Sequence, residues 1–160
     1  MKITAEKLKE VISYDPETGI FTWKHRKARG GLAGHLDSNG YLTIRVDWIL
    51  YGAHRLAWLY MTGSWPSGDI DHKDGDSANN RWANLRDATV SQNMANSKLS
   101  RGNTSGVKGV HWDKDNRKWR ARIKVKYKSI HLGEFDCPAA AHFAYLVEAD
   151  KQFGEFARAS

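Results

Sequence analysis

Apolar residues recur along this chain in two rhythms, one helical and one alternating, and they predict its elements. Near the start, Leu8, Val11 and Ile12 fall at i, i+3 and i+4 behind Thr4. That spacing predicts a short helix with Thr4 as its N-cap and one buried face. Asp15-Pro16-Glu17-Thr18-Gly19 reads as a turn, since Asp, Pro and Gly favour tight-turn backbone. Ile20 to Trp23 and Tyr41 to Val46 predict strands, and the Gly-rich stretch from Gly30 to Gly40 between them predicts a long, mobile connection. A second helix is expected from Ala53 to Met61, with Leu56, Leu59 and Tyr60 inward and Gly63 and Pro66 ending it. After a short apolar approach at Ile70 comes a polar loop, then Leu85 and a helix capped by Thr89.

The rhythm changes after residue 100. From Trp119 to Tyr127 the residues Trp119, Ala121, Ile123, Val125 and Tyr127 alternate with Arg120, Arg122, Lys124, Lys126 and Lys128. A period of two means a half-buried strand with a cationic outer face. Val107 to Trp112 and Ser129 to Phe135 flank it as shorter strands, with a turn at Asp115-Asn116. Pro138 opens a last helix whose apolar stripe is read as Ala140, Phe143, Ala144, Val147 and Ala149. The polar, Gly-containing run from Ser100 to Gly106 marks a boundary. The expected domains are therefore 1–100, a linker at 101–106, and 107–160.

Composition narrows the possible functions. No run approaches the ~18 apolar residues a membrane span needs, and no apolar block follows the basic residues of the first segment, so neither a membrane protein nor a signal peptide is expected. Cys137 is the single cysteine, which excludes internal disulfides and thiolate-rich zinc sites and fits a reducing cytoplasm. The net charge of +7 is concentrated. Residues 1–100 hold 13 Lys/Arg against 11 Asp/Glu, 101–128 hold 10 against 2, and 129–160 hold 2 against 5. An excess confined to one short segment points to a polyanionic partner.

The chemistry lies in the loop Asp71-His72-Lys73-Asp74-Gly75-Asp76. By composition alone an Asp- and Asn-rich turn is only a turn. An EF-hand fails, because counting from Asp69 puts Asp74 where Gly is required and Asn80 where Glu is required. A zinc-protease helix fails for want of two His four residues apart. Asn84 lies twelve positions after His72, and Asn93 twenty-one positions after it. With flanks Asn79-Asn80-Arg81-Trp82-Ala83-Asn84-Leu85-Arg86 and Ser91-Gln92-Asn93-Met94, this spacing resembles the HNH endonucleases of phage and intron-encoded homing type. His54-Arg55-Leu56-Ala57-Trp58 and Tyr14-Asp15-Pro16-Glu17-Thr18-Gly19 resemble the same proteins, so the likeness covers roughly residues 10–98.

That resemblance implies an α+β chain with a ββα-metal catalytic core at about 54–98: two strands, a loop, and a helix closing over one divalent ion, Mg²⁺ with Mn²⁺ as substitute. It implies His72 as general base, Asn84 as the residue orienting its imidazole through the side-chain carbonyl, and Asp71 and Asn93 as metal ligands. The implied activity is hydrolysis of DNA phosphodiester bonds by a nick or a double-strand cut. One bound Mg²⁺ polarises the phosphoryl group, and an imidazole with an ordinary pKa near ~6.5 accepts a proton at neutral pH. Adjacent strand residues point to opposite faces, so Asp71 and His72 are expected at a bend.

The second module also has a likeness. Lys108-Gly109-Val110-His111-Trp112, Lys118-Trp119-Arg120-Ala121-Arg122-Ile123, His131-Leu132-Gly133-Glu134-Phe135 and Ala139-Ala140-Ala141-His142-Phe143-Ala144-Tyr145 resemble the apetala and ethylene-response-factor domain. Its three-stranded antiparallel sheet, backed by a helix, lies in the DNA major groove. Arg122 stands where that family often has an acidic residue, so base preferences do not transfer. Lys108, His111, Arg120, Arg122 and Lys124 are the expected contacts to double-stranded DNA. The whole chain then reads as a monomeric nuclease of the host-cell cytoplasm. The alternatives are a non-catalytic DNA-binding regulator with a vestigial HNH fold, or an RNA-binding protein.

Overall fold

The computed structural model describes residues 2–25, 31–100 and 102–158; expectations falling on Met1, Gly30 and Arg101 lie outside them. The chain forms two compact units, Met1–Ala88 and Thr89–Ser160. This division precedes the linker expected at 101–106, because the helix after Thr89 packs within the second unit.

The first unit opens with α1 (Ala5–Val11), whose N-cap is Thr4, accepting from the Lys7 N–H as expected. It leads into β1 (Ile12–Tyr14), too short to show a period, which pairs antiparallel with β2 (Phe21–Trp23). The Asp15–Gly19 turn joins them, closed by a hydrogen bond from the Gly19 N–H to the Asp15 carbonyl. The stretch expected to be only connection contains β3 (His35–Leu36), which adds to the hairpin of β4 (Leu42–Val46) and β5 (Ile49–Gly52). The two residues of β3 are too few to alternate, and the four of β5, Ile49 to Gly52, do not alternate apolar with polar.

Next comes α2 (Ala53–Thr62), which ends at Gly63. Leu56 and Leu59 are buried and Tyr60 packs against the core, matching the predicted face. Leu8, Ile12, Phe21 and Ile44 complete the centre of this core. It supports β6 (Asp69–His72), which pairs antiparallel with β7 (Leu85–Ala88). A turn of 3₁₀ helix at Trp82–Asn84 leads into β7.

The second unit starts with α3 (Val90–Asn96), held by a capping box between Thr89 and Gln92. Its sheet is β8 (Val110–Asp113), β9 (Lys118–Val125) and β10 (Lys128–Phe135), antiparallel with β9 in the centre. The inward face of β9 is as predicted for Trp119, Ala121, Ile123 and Val125, whereas Tyr127 falls in the β9–β10 turn and is 72% exposed. Behind the sheet lies α4 (Pro138–Phe153). Of its predicted stripe, Ala149 is buried and Ala144 packs against the core, but Ala140, Phe143 and Val147 are exposed; the buried row is Ala141, Tyr145, Ala149 and Phe153. The sheet takes the row with small residues at 141 and 149, which lets the helix approach closely. Gly109 serves the same contact, since a Cβ there would lie 2.1 Å from the Tyr145 ring.

The fold is thus α+β, with a three-stranded antiparallel sheet packed against α4. Among the described residues no helix is long and apolar enough to cross a membrane.

Candidate active site

The β6–β7 hairpin builds the site. Antiparallel pairing sets Asp71 opposite Arg86 and His72 opposite Leu85. Asp71 and His72 are both buried, at 3% and 6% exposure. Successive strand residues face opposite ways, so they are buried by different neighbours. The Asp71 carboxylate accepts from Arg86 Nε at 2.8 Å. His72 turns towards Asn80, Tyr41 and His54. Its Nε2 lies 3.4 Å from Asn80 Oδ1, and its ring centroid is 6.0 Å from that of Tyr41 and 5.3 Å from that of His54, in an edge contact.

The loop from Lys73 to Asn84 is fixed by its own polar groups. Lys73 donates its N–H to the Asn84 carbonyl at 2.9 Å and its ammonium to the Ala83 carbonyl at 2.8 Å. The Asn84 side chain is committed to this loop. Its Oδ1 accepts from the Asp74 N–H at 3.1 Å, and its Nδ2 donates to Asp74 Oδ1 at 3.0 Å and to the Asn79 carbonyl at 2.8 Å. The amide oxygen beside the imidazole is therefore that of Asn80, not Asn84. Spacing could not separate two asparagines of one loop; only the turn geometry decides which faces the ring.

Asn80 is itself 2% exposed and pinned from the amino-terminal turn. The Tyr14 hydroxyl donates to its carbonyl at 2.7 Å, and the Trp82 N–H donates to the Pro16 carbonyl at 2.9 Å. Gly19, at φ +75°, touches the same backbone: a Cβ there would lie 2.6 Å from Arg81 N and from Asn80 C. The Tyr14–Gly19 segment, singled out by sequence, is thus the brace of this loop.

Burial pushes the His72 imidazole below its ordinary value, opposed by the Asn80 hydrogen bond and by the carboxylates of Asp74, Asp71 and Asp76. That shift favours the neutral ring, which carries a lone pair. Burial, joined by His72 and Arg55, pushes His54 down to about 4. Burial also works against the Asp74 carboxylate, yet the Asp76 N–H and the Asn79 and Asn84 amides hold it below the usual range. His54, Tyr41, Asn80 and Arg86 were not assigned from sequence; for Arg86 the only signal was its place across a hairpin whose register was not yet known.

Asn93 lies on α3 in the second unit. Among the described residues no group of three or more His, Cys, Asp and Glu side chains forms a metal cluster. The expected donors are hard oxygens, the Asp71 carboxylate and the Asn93 amide, with no thiolate. That chemistry fits a Mg²⁺-like ion that draws most of its shell from water and phosphate.

The sheet of the second unit carries the expected nucleic-acid contacts, and its outer face has two ends. At one, Lys118 pairs with Asp136, and Arg120 pairs with Asp113 at 2.7 Å and Glu134 at 2.8 Å. At the other, Arg122 and Lys124 are exposed, with no ion pair recorded among the described residues, and His131 stands opposite Arg122. His111 is half-buried beside Arg120, with a buried Nδ1 that has no hydrogen-bond partner among the described residues. Lys108 is elsewhere. It is 8% exposed, its ammonium donates to the Ala95 carbonyl at 2.8 Å, and burial, with Arg158 adding, pushes its pKa down to about 8. Alternation outside a regular strand does not set side-chain direction, and Lys108 precedes β8.

Comparison with known proteins adds three findings. Residues 51–95 match the family model described as HNH endonuclease. Protein 3.8 of Escherichia phage T7 is 33% identical over 106 residues, covering 66% of this chain and 87% of that protein. No solved structure matches the chain.

Proposed function

Because this chain belongs to one family with Protein 3.8 of phage T7 and carries an HNH endonuclease domain at residues 51–95, we propose that it is a metal-dependent DNA endonuclease of the phage homing type. The observation that carries the reading is the buried imidazole of His72 at the end of its strand, its Nε2 3.4 Å from the Oδ1 of Asn80 in a braced loop.

His72 acts as the general base that takes the proton from the attacking water. An Nε2–H donated to Asn80 Oδ1 selects the tautomer whose Nδ1 carries the lone pair. Asn80 holds the ring, and Asn84 acts indirectly by fixing the loop. Arg86 orients the Asp71 carboxylate. Asp71 would hold the divalent ion, which would supply positive charge to stabilise the phosphoryl group and the leaving oxygen. The nuclease module runs to about residue 98, and residues 107–160 form the DNA-binding module. The protein works on double-stranded DNA in the host-cell cytoplasm, as a monomer.

Asp71→Asn should raise the Mg²⁺ concentration needed for half-maximal cleavage, since one anionic donor to a hard ion is lost. A Mg²⁺ titration of the cleavage rate checks this; an unchanged midpoint removes Asp71 from the metal site. On the sheet, Arg122→Ala and Lys124→Ala should each weaken duplex binding and lower the slope of log affinity against log salt by about one. Arg120→Ala should leave that slope nearly unchanged, because its charge is already balanced by Asp113 and Glu134. Binding isotherms over a salt series decide it, and an equal slope change for all three would show that the sheet's paired end also grips phosphate.

A further inference from the structure

The β4–β5 hairpin turns through Asp47 and Trp48, both left-handed at φ +46° and +67°. Two-residue turns of this kind select Asn, Asp or Gly, because a bulky L side chain is strained there. Trp48 nevertheless occupies the second position, and its side chain is 90% exposed. Neither backbone preference nor core packing accounts for an indole held out into water at the tip of a hairpin. Such a strained position is where a functional contact is to be sought.

Trp48 forms one wall of a cavity of about 520 Å³, lined also by Val11, Trp23, His25, Arg45 and Val46. Trp23 supplies a second aromatic surface, packed against the core. Arg45 and His25 are exposed, and Arg45 has no ion pair recorded among the described residues. Asp47 adds a carboxylate at the rim. An apolar partner would leave Arg45 and His25 without polar partners, and a simple anion would leave the Trp48 face in water. A nucleotide satisfies both, having a flat π-face and a phosphate.

We infer that this cavity is a nucleobase-binding site of the nuclease unit: an unstacked DNA base lies on the Trp48 indole, with the adjoining phosphates on Arg45 and His25. Stacking of this kind is tolerant of sequence, since every base offers a π-face. The inference rests on DNA as the substrate proposed above and adds a contact in the first unit, distinct from the basic sheet.

The test uses the full chain in chelator, so that binding is read without cleavage. The probe is a labelled oligothymidylate of about twelve nucleotides, within the length range single-strand sites cover. Trp48→Ala should weaken binding about ten-fold and remove part of the tryptophan quenching that the oligomer causes, whereas Trp48→Phe should keep most of the affinity. Because Trp48 is exposed, a thermal melt of Trp48→Ala should match the wild type. Loss of affinity or of quenching in Trp48→Ala supports the site; affinity and quenching both equal to wild type overturn it. Binding lost on substitution in a chain that never cuts duplex DNA with Mg²⁺ would keep this site and reject the nuclease reading. Normal cutting with unchanged oligomer binding would do the reverse.

Discussion

His72→Ala should lower single-turnover DNA cleavage by about 10²–10⁴-fold, the usual worth of a positioned general base, and leave DNA affinity nearly unchanged. The ring is 6% exposed and burial favours its neutral form, so it contributes little to the electrostatic attraction of a duplex. In the proposed mechanism its contribution is a lone pair held in one direction by Asn80, with the edge of His54 and the ring of Tyr41 filling the space around it. Removing so buried a ring also leaves a void, which could lower the rate through packing alone. His72→Gln separates the two effects, since an amide of similar reach fills much of the void but has no basic nitrogen. Both variants should be slow, with Gln melting closer to the wild type. A His72→Gln rate near the wild-type rate would show that the ring fills space and does not accept the proton.

Gly19→Ala should destabilise the protein by about 2–5 kcal/mol, combining roughly 1–2 kcal/mol for an L residue in the left-handed region with about 1–3 kcal/mol for overpacking. All the atoms nearest the added methyl are backbone, Arg81 N and Asn80 C at 2.6 Å and Asn80 O at 3.0 Å, and none can rotate aside. The methyl must therefore push the segment carrying Asn80 away from its braces on Tyr14 and Pro16. Cleavage should fall by as much as about 10²-fold even where the chain stays folded, because displacing a catalytic group by an ångström costs that much. Gly63→Ala is the control. Gly63 also has a positive φ, +79°, but nothing lies within 4 Å of its Cβ position. It should lose only the backbone part and keep its activity. Denaturation curves and rates for the two variants check this, and equal losses would mean that Gly19 serves the turn alone.

Much of this was readable in the chain because the signals were local. Thr4 caps α1, Thr89 and Gln92 cap α3, and the cations of β9 alternate with the residues that pack inward. The spacing of Asp71, His72, Asn84 and Asn93 pointed to the region that the family comparison matches. What was missed depends on contacts between distant residues. Apolar side chains surround most of α4, so periodicity alone placed Ala149 on the buried face but did not choose between Phe143 with Val147 and Ala141 with Tyr145. The outer cations of β9 looked equivalent until β8 and β10 brought Asp113 and Glu134 beside Arg120. The role first given to Asn84 fits Asn80 better for the same reason: a brace from Tyr14, 66 residues away, sets how the loop presents its amides.

Cleavage of supercoiled plasmid and phage DNA by the purified full-length chain, with Mg²⁺ and with excess chelator, tests the central claim most directly. Metal-dependent conversion of the plasmid to nicked or linear form, abolished by chelator and by His72→Gln, is the predicted result. Intact DNA at every Mg²⁺ and Mn²⁺ concentration, from protein that is folded and binds the duplex, would contradict it and leave a DNA-binding protein with an inactive HNH domain.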